Sequence, residues 1–224
     1  WTTGFNWESN EKLAPQQQGT MDRIGEMAKR YGIWINGSIL ALNEEEKVSN
    51  TSILFDAEGR RAALYRKTHL FTLLHENEHM APGQSLTTAE TPWGKVGLAI
   101  CYDIRFPELF RTYALQGVKF VLLPMAFPYP RLEHWKILVR ARAIENQLFM
   151  IGVNQVGRED FGADGGWVTY FGDSVVIDPW GETVVEAGET EEVLLTACID
   201  TDRVEEIRQT MTVLQDRRPE LYRL

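Results

Sequence analysis

Cysteine is scarce in this sequence, which contains two among 224 residues. A disulfide framework of the kind that stabilises small secreted domains is therefore not expected, and a reducing, cytoplasmic compartment is the simpler interpretation. Cys101 and Cys198 both lie in apolar stretches with the character of strands. We predict that Cys198 is inert packing in such a strand, as buried free cysteines usually are. Cys101 has a more informative setting.

Long apolar runs and an excess of positive charge are also missing. No stretch approaches the 18 apolar residues that a membrane-spanning helix needs, so no membrane association is expected, and no signal peptide is visible. The 23 Lys and Arg side chains are outnumbered by 32 Asp and Glu side chains, giving a formal net charge of -9. Nucleic acid is consequently not expected as a partner, because neutralising phosphates requires a basic face.

What the sequence does contain is an ordinary globular composition, with 44% hydrophobic residues and no repeats or low-complexity linkers. This composition suits one core and a single domain over residues 1–224. The pattern of apolar residues predicts helices over residues 21–31, 106–116, 132–146 and 200–211. It predicts strands over residues 33–40, 51–55, 61–65, 85–88, 95–101, 118–124, 148–153, 172–177, 183–187 and 192–199. We therefore expect an α/β fold in which helices cover one face of a mixed sheet and a second sheet covers the other.

The setting of Cys101 is typical of a nucleophile. It stands in residues 96–106 (Val-Gly-Leu-Ala-Ile-Cys-Tyr-Asp-Ile-Arg-Phe), where an apolar strand gives way to a chain reversal and then a helix. Open α/β sheets carry their chemistry at such strand ends. A thiol reacts as the thiolate, so it needs a cation or a base nearby. Lys67, at the end of the strand over residues 61–65, is the candidate cation, since it can point into the same cleft.

Further motifs accompany Lys67 and Cys101 along nearly the whole chain. They are residues 65–71 (Tyr-Arg-Lys-Thr-His-Leu-Phe), 82–83 (Pro-Gly), 97–108 (Gly-Leu-Ala-Ile-Cys-Tyr-Asp-Ile-Arg-Phe-Pro-Glu), 141–146 (Ala-Arg-Ala-Ile-Glu-Asn), 153–157 (Val-Asn-Gln-Val-Gly), 172–174 (Gly-Asp-Ser) and 178–182 (Asp-Pro-Trp-Gly-Glu). In this order they resemble the nitrilase (carbon–nitrogen hydrolase) superfamily. The resemblance implies a nitrilase-like αββα sandwich, with two mixed sheets flanked by helices, whose four layers form once two subunits pair. It also implies at least a homodimer, paired through helices, and no cofactor or metal.

The same resemblance implies a glutamate–lysine–cysteine triad that hydrolyses C–N bonds other than peptide bonds. Cys101 matches the nucleophile and Lys67 the lysine of that triad. A second glutamate, present in many members, matches Glu76 best, with Glu78 as the alternative. The general-base glutamate of the family precedes a segment resembling residues 1–5 (Trp-Thr-Thr-Gly-Phe). It is therefore expected just upstream of that segment, together with a strand, a helix and a second strand of about 40 residues.

In the chemistry that the resemblance implies, Cys101 attacks the carbon of a small amide, ammonia leaves, and water hydrolyses the resulting thioester. The backbone N–H of Tyr102 and the Lys67 ammonium are expected to stabilise the oxyanion. The strand over residues 118–124 leads into further expected substrate-binding residues, namely Met125, Ala126 and Phe127.

The substrate itself is suggested by local similarity. Residues 1–5 and 66–71 are most similar to the omega-amidase branch, whose members hydrolyse 2-oxo dicarboxylic monoamides such as 2-oxoglutaramate. Three residues are expected to give a small, partly aromatic pocket: Trp1, Phe127 and Trp167. Three others are candidate partners of the substrate carboxylate, although ion pairing within the protein is the commoner role: Arg105, Arg131 and Arg140. A carbamoylase or nitrilase of the same superfamily is the alternative.

Two alternatives from other classes remain open. Residues 75–79 (His-Glu-Asn-Glu-His) match the H-E-x-x-H pattern of zinc hydrolases, which requires a helix and a third ligand downstream. The Pro-Gly pair at residues 82–83 leaves little room for a helix, so we expect a loop at the rim of the cleft and no metal. The chain could also be a catalytically silent interaction subunit, although the presence of both Lys67 and Cys101 argues against that role.

Overall fold

Helices and strands alternate along the chain in the computed structural model, which describes residues 4–161 and 166–222. The α-helices are α1 (Trp7–Leu13), α2 (Gln18–Tyr31), α3 (Glu76–His79), α4 (Pro107–Leu115), α5 (Leu132–Asn146) and α6 (Arg203–Thr210). The strands are β1 (Ile35–Leu42), β2 (Val48–Phe55), β3 (Arg61–Arg66), β4 (Thr87–Thr91), β5 (Gly94–Leu98), β6 (Phe120–Met125), β7 (Phe149–Asn154), β8 (Val156–Asp160), β9 (Trp167–Phe171), β10 (Val175–Ile177) and β11 (Thr183–Glu186).

The strands of the described residues form two large sheets and a hairpin. The larger sheet has the order β11-β10-β7-β6-β5-β4 and is mixed, because β5, β6 and β7 run parallel while the outer neighbours pair antiparallel. The smaller sheet, in the order β1-β2-β3, is antiparallel. β8 and β9 pair only with each other among the named strands. Parallel β5 and β6 end at the same edge, which is where the candidate nucleophile lies.

The two sheets face each other and carry helices on their outer faces. Leu54 and Tyr65 of the smaller sheet share one buried cluster with Leu98 and Val121 of the larger sheet. Helix α2 covers the other face of the smaller sheet and ends at Gly32 in a left-handed conformation. Helices α4 and α5 cover the larger sheet. The predicted αββα sandwich is therefore confirmed, but the smaller sheet is antiparallel and not mixed as predicted. The four layers of the sandwich occur within one chain and do not require a second subunit.

Helix α5 carries exposed apolar side chains. Ile137 is 63% exposed and Ile144 is 47% exposed, although Trp135 and Val139 of the same helix are buried against the sheet. Apolar groups of this size on an outer face are compatible with a contact between subunits. The homodimer predicted from the resemblance stays a prediction.

The predicted strand over residues 192–199 is wrong. Residues 191–200 form no regular structure, and Leu194 is 89% exposed. A strand needs a neighbour for its backbone hydrogen bonds, and the described part of the chain provides none for this segment. Cys198 is consequently exposed and free, and is not the buried packing residue that was predicted. The helix that follows begins at Arg203, three residues later than expected.

None of the helices in residues 4–161 and 166–222 combines the length and the apolar character that crossing a bilayer would require.

Candidate active site

Cys101 lies three residues beyond the end of β5, on a strained turn. The strand ends at Leu98, short of the predicted end at Cys101, and a 3₁₀ helix spans Cys101–Arg105. The Cys101 backbone has a φ of 46°, in the left-handed region that most residues avoid. This turn reverses the chain at the sheet edge and places the thiol at a cavity, where the sulfur lies 3.9 Å from the carbonyl oxygen of Ala126.

Asp103 holds the turn that carries Cys101. It is fully buried, and its Oδ2 accepts hydrogen bonds from the backbone N–H of Ile100 and the hydroxyl of Tyr65, both at 2.8 Å. Its Oδ1 lies 2.8 Å from Nδ1 of His69. These bonds fasten the turn to β3 and to the loop that follows β3. The structure thus assigns Asp103 a supporting role that the sequence alone did not reveal, although the residue stands inside the Cys101 motif.

Lys67 follows β3 directly and forms a buried ion pair. Its ammonium nitrogen lies 2.5 Å from Oε2 of Glu76, and both side chains are 2% exposed. The same Glu76 oxygen accepts the backbone N–H of Phe71 at 2.6 Å. The Lys67 backbone pairs with Asn50 of β2 and with Gly83. A side chain at Gly83 would overlap the Arg66 backbone, so glycine is required for this approach.

The two candidate glutamates have different environments. Glu76 is buried against Lys67, whereas Glu78 is exposed and pairs with His75 at 2.8 Å. The two residues share the short helix α3, on which positions two apart point in different directions. Glu76 is therefore the member of the pair that reaches the site.

Charge and burial oppose each other at the thiol and the ammonium. Burial raises the pKa of the Cys101 thiol, and the nearby Lys67 ammonium only partly reverses this effect. Burial also works against the charge on Lys67, but Glu76 and then Cys101 raise its pKa above the usual value. The ammonium is therefore retained at neutral pH, while the resting nucleophile is held as a thiol.

The cavity beside Cys101 has a volume of about 450 Å³ and is large enough for a small substrate. Lys67 and Glu76 line it together with the predicted Met125 and Ala126. A second, much smaller cavity adjoins it. That cavity shares Cys101 and Ala126 and is lined further by predicted and candidate residues: Tyr102, Phe127, Arg105 and Arg131.

The predicted aromatic pocket is corrected in part. Phe127 is buried at the smaller cavity, but Trp167 is 57% exposed and lies under the guanidinium of Arg158, so it does not line either cavity. Trp1 lies outside the described residues. Arg140 is not beside the thiol, because its guanidinium donates to the carbonyl of Gly181 and to Thr183.

Asn154 is a second residue whose role the sequence alone did not reveal. Its side-chain oxygen accepts the backbone N–H of Phe127 at 2.7 Å, and its amide donates to the carbonyls of Phe127 and Gly172. It thereby fixes the chain just beyond Ala126. The available signal for Asn154 was its place as a polar residue at the end of buried β7. Because β7 ends at the same sheet edge as β6, a polar residue there lies near the site.

The histidines of the zinc-hydrolase pattern are used in other ways. Nδ1 of His75 lies 2.8 Å from Glu78, and Nδ1 of His79 lies 3.1 Å from Glu11. The His79 ring also stacks on Trp7. Within the described ranges, His, Cys, Asp and Glu side chains form no group of three or more that could hold a metal ion. These residues thus give no support to the zinc alternative.

Asp173, in the turn between β9 and β10, makes the stability depend on pH. Burial raises its pKa from about 3.8 to about 6; Lys136, 3.5 Å away, opposes the shift, and Glu186 adds to it. Glu189 also contacts Lys136. Because the folded state holds the proton more tightly than the unfolded state does, the unfolding free energy should fall as pH rises from about 4 to 6.

We expect Asp173→Asn to remove this loss and to stabilise the protein at pH 7 by up to about 2 kcal/mol. The left-handed backbone at this position, with a φ of 56°, also suits asparagine. Urea denaturation of both proteins at pH 4.5 and pH 7 tests this expectation. An equal difference in unfolding free energy at the two pH values would contradict it.

Comparisons with known proteins agree with this geometry. The sequence profile described as "Carbon-nitrogen hydrolase" matches residues 1–209. A 2-oxoglutaramate amidase of Bacillus subtilis (strain 168) is 35% identical over 99% of the chain and 83% of the relative. The omega-amidase NIT2 of Homo sapiens is 36% identical over 89% of the chain and 73% of the relative. The crystal structure of a carbon-nitrogen hydrolase from Helicobacter pylori G27 superimposes with a TM-score of 0.90 at 27% identity, covering 98% of this chain and 81% of that one.

Proposed function

The chain belongs to the carbon–nitrogen hydrolase family, and from this premise we propose that it is an omega-amidase that works through a Cys101 thioester. The family makes it a hydrolase of C–N bonds other than peptide bonds. The observation that carries the proposal is the buried Lys67–Glu76 ion pair, which lines the same cavity as the thiol. A desolvated cation beside a thiol is the setting in which an attack on an amide becomes favourable.

The first half of the proposed reaction forms the thioester. The Cys101 thiol gives up its proton to a carboxylate, which in the family resemblance is the general-base glutamate of the triad. The sulfur then bonds to the amide carbon, and the carbonyl electrons move to oxygen. The Lys67 ammonium and the backbone N–H of Tyr102 stabilise this oxyanion, because Tyr102 stands in the first turn of a helix, where N–H groups have no intrahelical acceptor.

The second half releases the acid. The oxyanion collapses, the C–N bond breaks, and the nitrogen takes the proton from the carboxylic acid and leaves as ammonia. Water then attacks the thioester while the same carboxylate accepts its proton, and the thiolate leaves and is reprotonated. Glu76 supports both halves by keeping Lys67 charged and in place, since its Oε2 is the ammonium's 2.5 Å partner.

Two arginines support a substrate that carries a carboxylate. Arg105 and Arg131 line the small cavity next to Cys101, and among the described residues neither lies within ion-pair distance of a carboxylate. Burial lowers the pKa of Arg105, and the positive charge of Arg131 lowers it further. Two guanidinium groups that repel each other beside the nucleophile are stabilised when an anion binds between them. A 2-oxo dicarboxylic monoamide, the class to which 2-oxoglutaramate belongs, supplies that anion at the opposite end of the molecule from its amide.

The proposal is tested by ammonia release from a panel of substrates on the full-length protein. The panel contains 2-oxoglutaramate, a neutral amide of similar length, an N-carbamoyl amino acid and a nitrile. We expect 2-oxoglutaramate to have the highest kcat/KM. Turnover of the N-carbamoyl compound alone would replace the proposal with a carbamoylase, and preferred turnover of the nitrile would replace it with a nitrilase.

Substitution of Arg105 should separate binding from chemistry. We expect Arg105→Ala to raise KM for 2-oxoglutaramate about 10- to 100-fold, because a hydrogen bond between charged groups contributes about 1.5–3 kcal/mol. The kcat/KM for the neutral amide should change little. Arg140→Ala is the matched control, since that guanidinium binds Gly181 and Thr183. Equal losses with the charged and the neutral substrate would contradict a carboxylate contact at Arg105.

A further inference from the structure

A carboxylate on the β8–β9 hairpin reaches the wall of the Cys101 cavity. Oε2 of Glu159 accepts hydrogen bonds from the hydroxyl of Tyr170 and from the backbone N–H of Phe5, the latter at 3.3 Å. Tyr170 is 4% exposed. One oxygen atom thus joins two strands of the hairpin to a segment far away in the sequence.

That segment approaches Glu159 closely at a glycine. A β-carbon at Gly4 would overlap both Oε2 of Glu159 and the Tyr170 hydroxyl, so a larger residue there would displace these two side chains. The Gly4 carbonyl also accepts a hydrogen bond from the side-chain amide of Asn10, which is 1% exposed. The segment is therefore held from two sides. Gly4 and Phe5 both line the large cavity with Cys101.

Contacts continue from Phe5 to the ion pair. The Phe5 ring packs against the Phe71 ring, with centroids 6.3 Å apart, in a cluster that also contains Tyr170. The Phe71 backbone N–H donates to Oε2 of Glu76, the oxygen that also binds Lys67. A shift of Phe5 would therefore be passed through Phe71 to the carboxylate that orients the lysine.

We propose that Glu159 is a positioning residue for the hydrolysis, acting through Phe5 and Phe71 on the Glu76–Lys67 pair. This inference rests on the proposed function, because Glu159 acts on the Lys67 ammonium, the cation that stabilises the oxyanion. Tyr170 contributes to the same positioning, since its hydroxyl donates a hydrogen bond to Glu159 and fixes the rotamer of that side chain. Neighbouring residues of the same strand make separate contacts, because Arg158 pairs with Asp160 and covers Trp167.

The test compares substitutions on the two faces of β8. We expect Glu159→Ala to lower kcat for 2-oxoglutaramate about tenfold, with KM changed less than threefold. Glu159→Gln keeps an acceptor oxygen and should retain at least half of the wild-type kcat. Tyr170→Phe should lower kcat by a smaller factor than Glu159→Ala. Asp160→Ala, on the outer face, is the matched control and should leave kcat unchanged.

A second readout follows the thiol without an amide substrate. The rate at which iodoacetamide alkylates Cys101 is measured against pH, with Cys198→Ala as the background. A less well-placed Lys67 stabilises the thiolate less, so Glu159→Ala should move the midpoint of alkylation to higher pH, and Glu159→Gln should not. A melting temperature lowered by Glu159→Ala, with kcat and the alkylation midpoint unchanged, would reduce Glu159 to a structural role and overturn the proposal. If the wild-type protein hydrolyses no amide, the proposed function fails, while the alkylation midpoint still tests the positioning of Lys67.

Discussion

Cys101→Ala should abolish amide hydrolysis while leaving the fold intact. We expect kcat to fall at least about 1,000-fold, because no other described nucleophile can form the thioester at the position that the cavity provides. The substitution deletes one buried sulfur atom, so the unfolding free energy should change by only about 1 kcal/mol. Ammonia release measures kcat, circular dichroism measures whether the fold is intact, and thermal denaturation measures the change in stability.

The second cysteine provides the matched control for this experiment. Cys198 is exposed in a segment without regular structure, so Cys198→Ala should have wild-type kcat and stability. Mass spectrometry of the wild-type protein mixed rapidly with substrate should show an acyl adduct, with the added mass on the peptide that contains Cys101. Ammonia release by the Cys101→Ala protein above one hundredth of the wild-type rate would exclude the thioester mechanism.

Loss of the Glu76 charge should damage both stability and catalysis. Glu76→Gln leaves the buried Lys67 ammonium without its ion-pair partner, and removal of one partner of a buried ion pair costs about 3–5 kcal/mol. The ammonium also loses the group that orients it, so we expect kcat to fall at least about 100-fold. Urea denaturation and ammonia release measure the two effects, and Glu78→Gln is the control two residues away. Glu78 is exposed, and a surface ion pair of this kind contributes about 0–1 kcal/mol.

A double substitution separates the two consequences of the Glu76 change. Lys67→Met combined with Glu76→Gln removes both charges, and a neutral pair of similar volume should recover most of the lost unfolding free energy. It should not recover kcat, because the oxyanion then has no cation beside it. Recovery of activity together with stability would mean that the pair serves the fold alone.

The central residues of the site were predictable because each stands at a strand end within a long motif. Cys101 follows β5, Lys67 follows β3, and both strands were recognisable from their apolar pattern. Glu76 was preferred to Glu78 only on its place in the family resemblance, because the sequence does not show that packing buries Glu76 against Lys67 and leaves Glu78 exposed. The support from Asp103 was hidden for a similar reason: its hydrogen-bond partner Tyr65 lies 38 residues away.

The wrong predictions concern residues whose environment depends on how strands pair with neighbouring strands. Residues 192–199 have the composition of a strand, but a strand forms only where a neighbour accepts its hydrogen bonds. Trp167 was assigned to the pocket by its aromatic character alone. The register of the hairpin pairs it with Asp160 and turns it outward, while Tyr170, three positions along, is buried on the inner face. In a sheet this alternation decides which side chain meets the substrate.

The left-handed backbone at Cys101 also bears on how the protein can be improved. A side chain in that region costs roughly 1–2 kcal/mol more than glycine does. Thermostabilisation that selects residues by backbone preference would therefore install glycine at the position that carries the reactive sulfur. Stability and turnover select different residues there, so this turn marks a place where the sequence has kept activity at the expense of thermal tolerance.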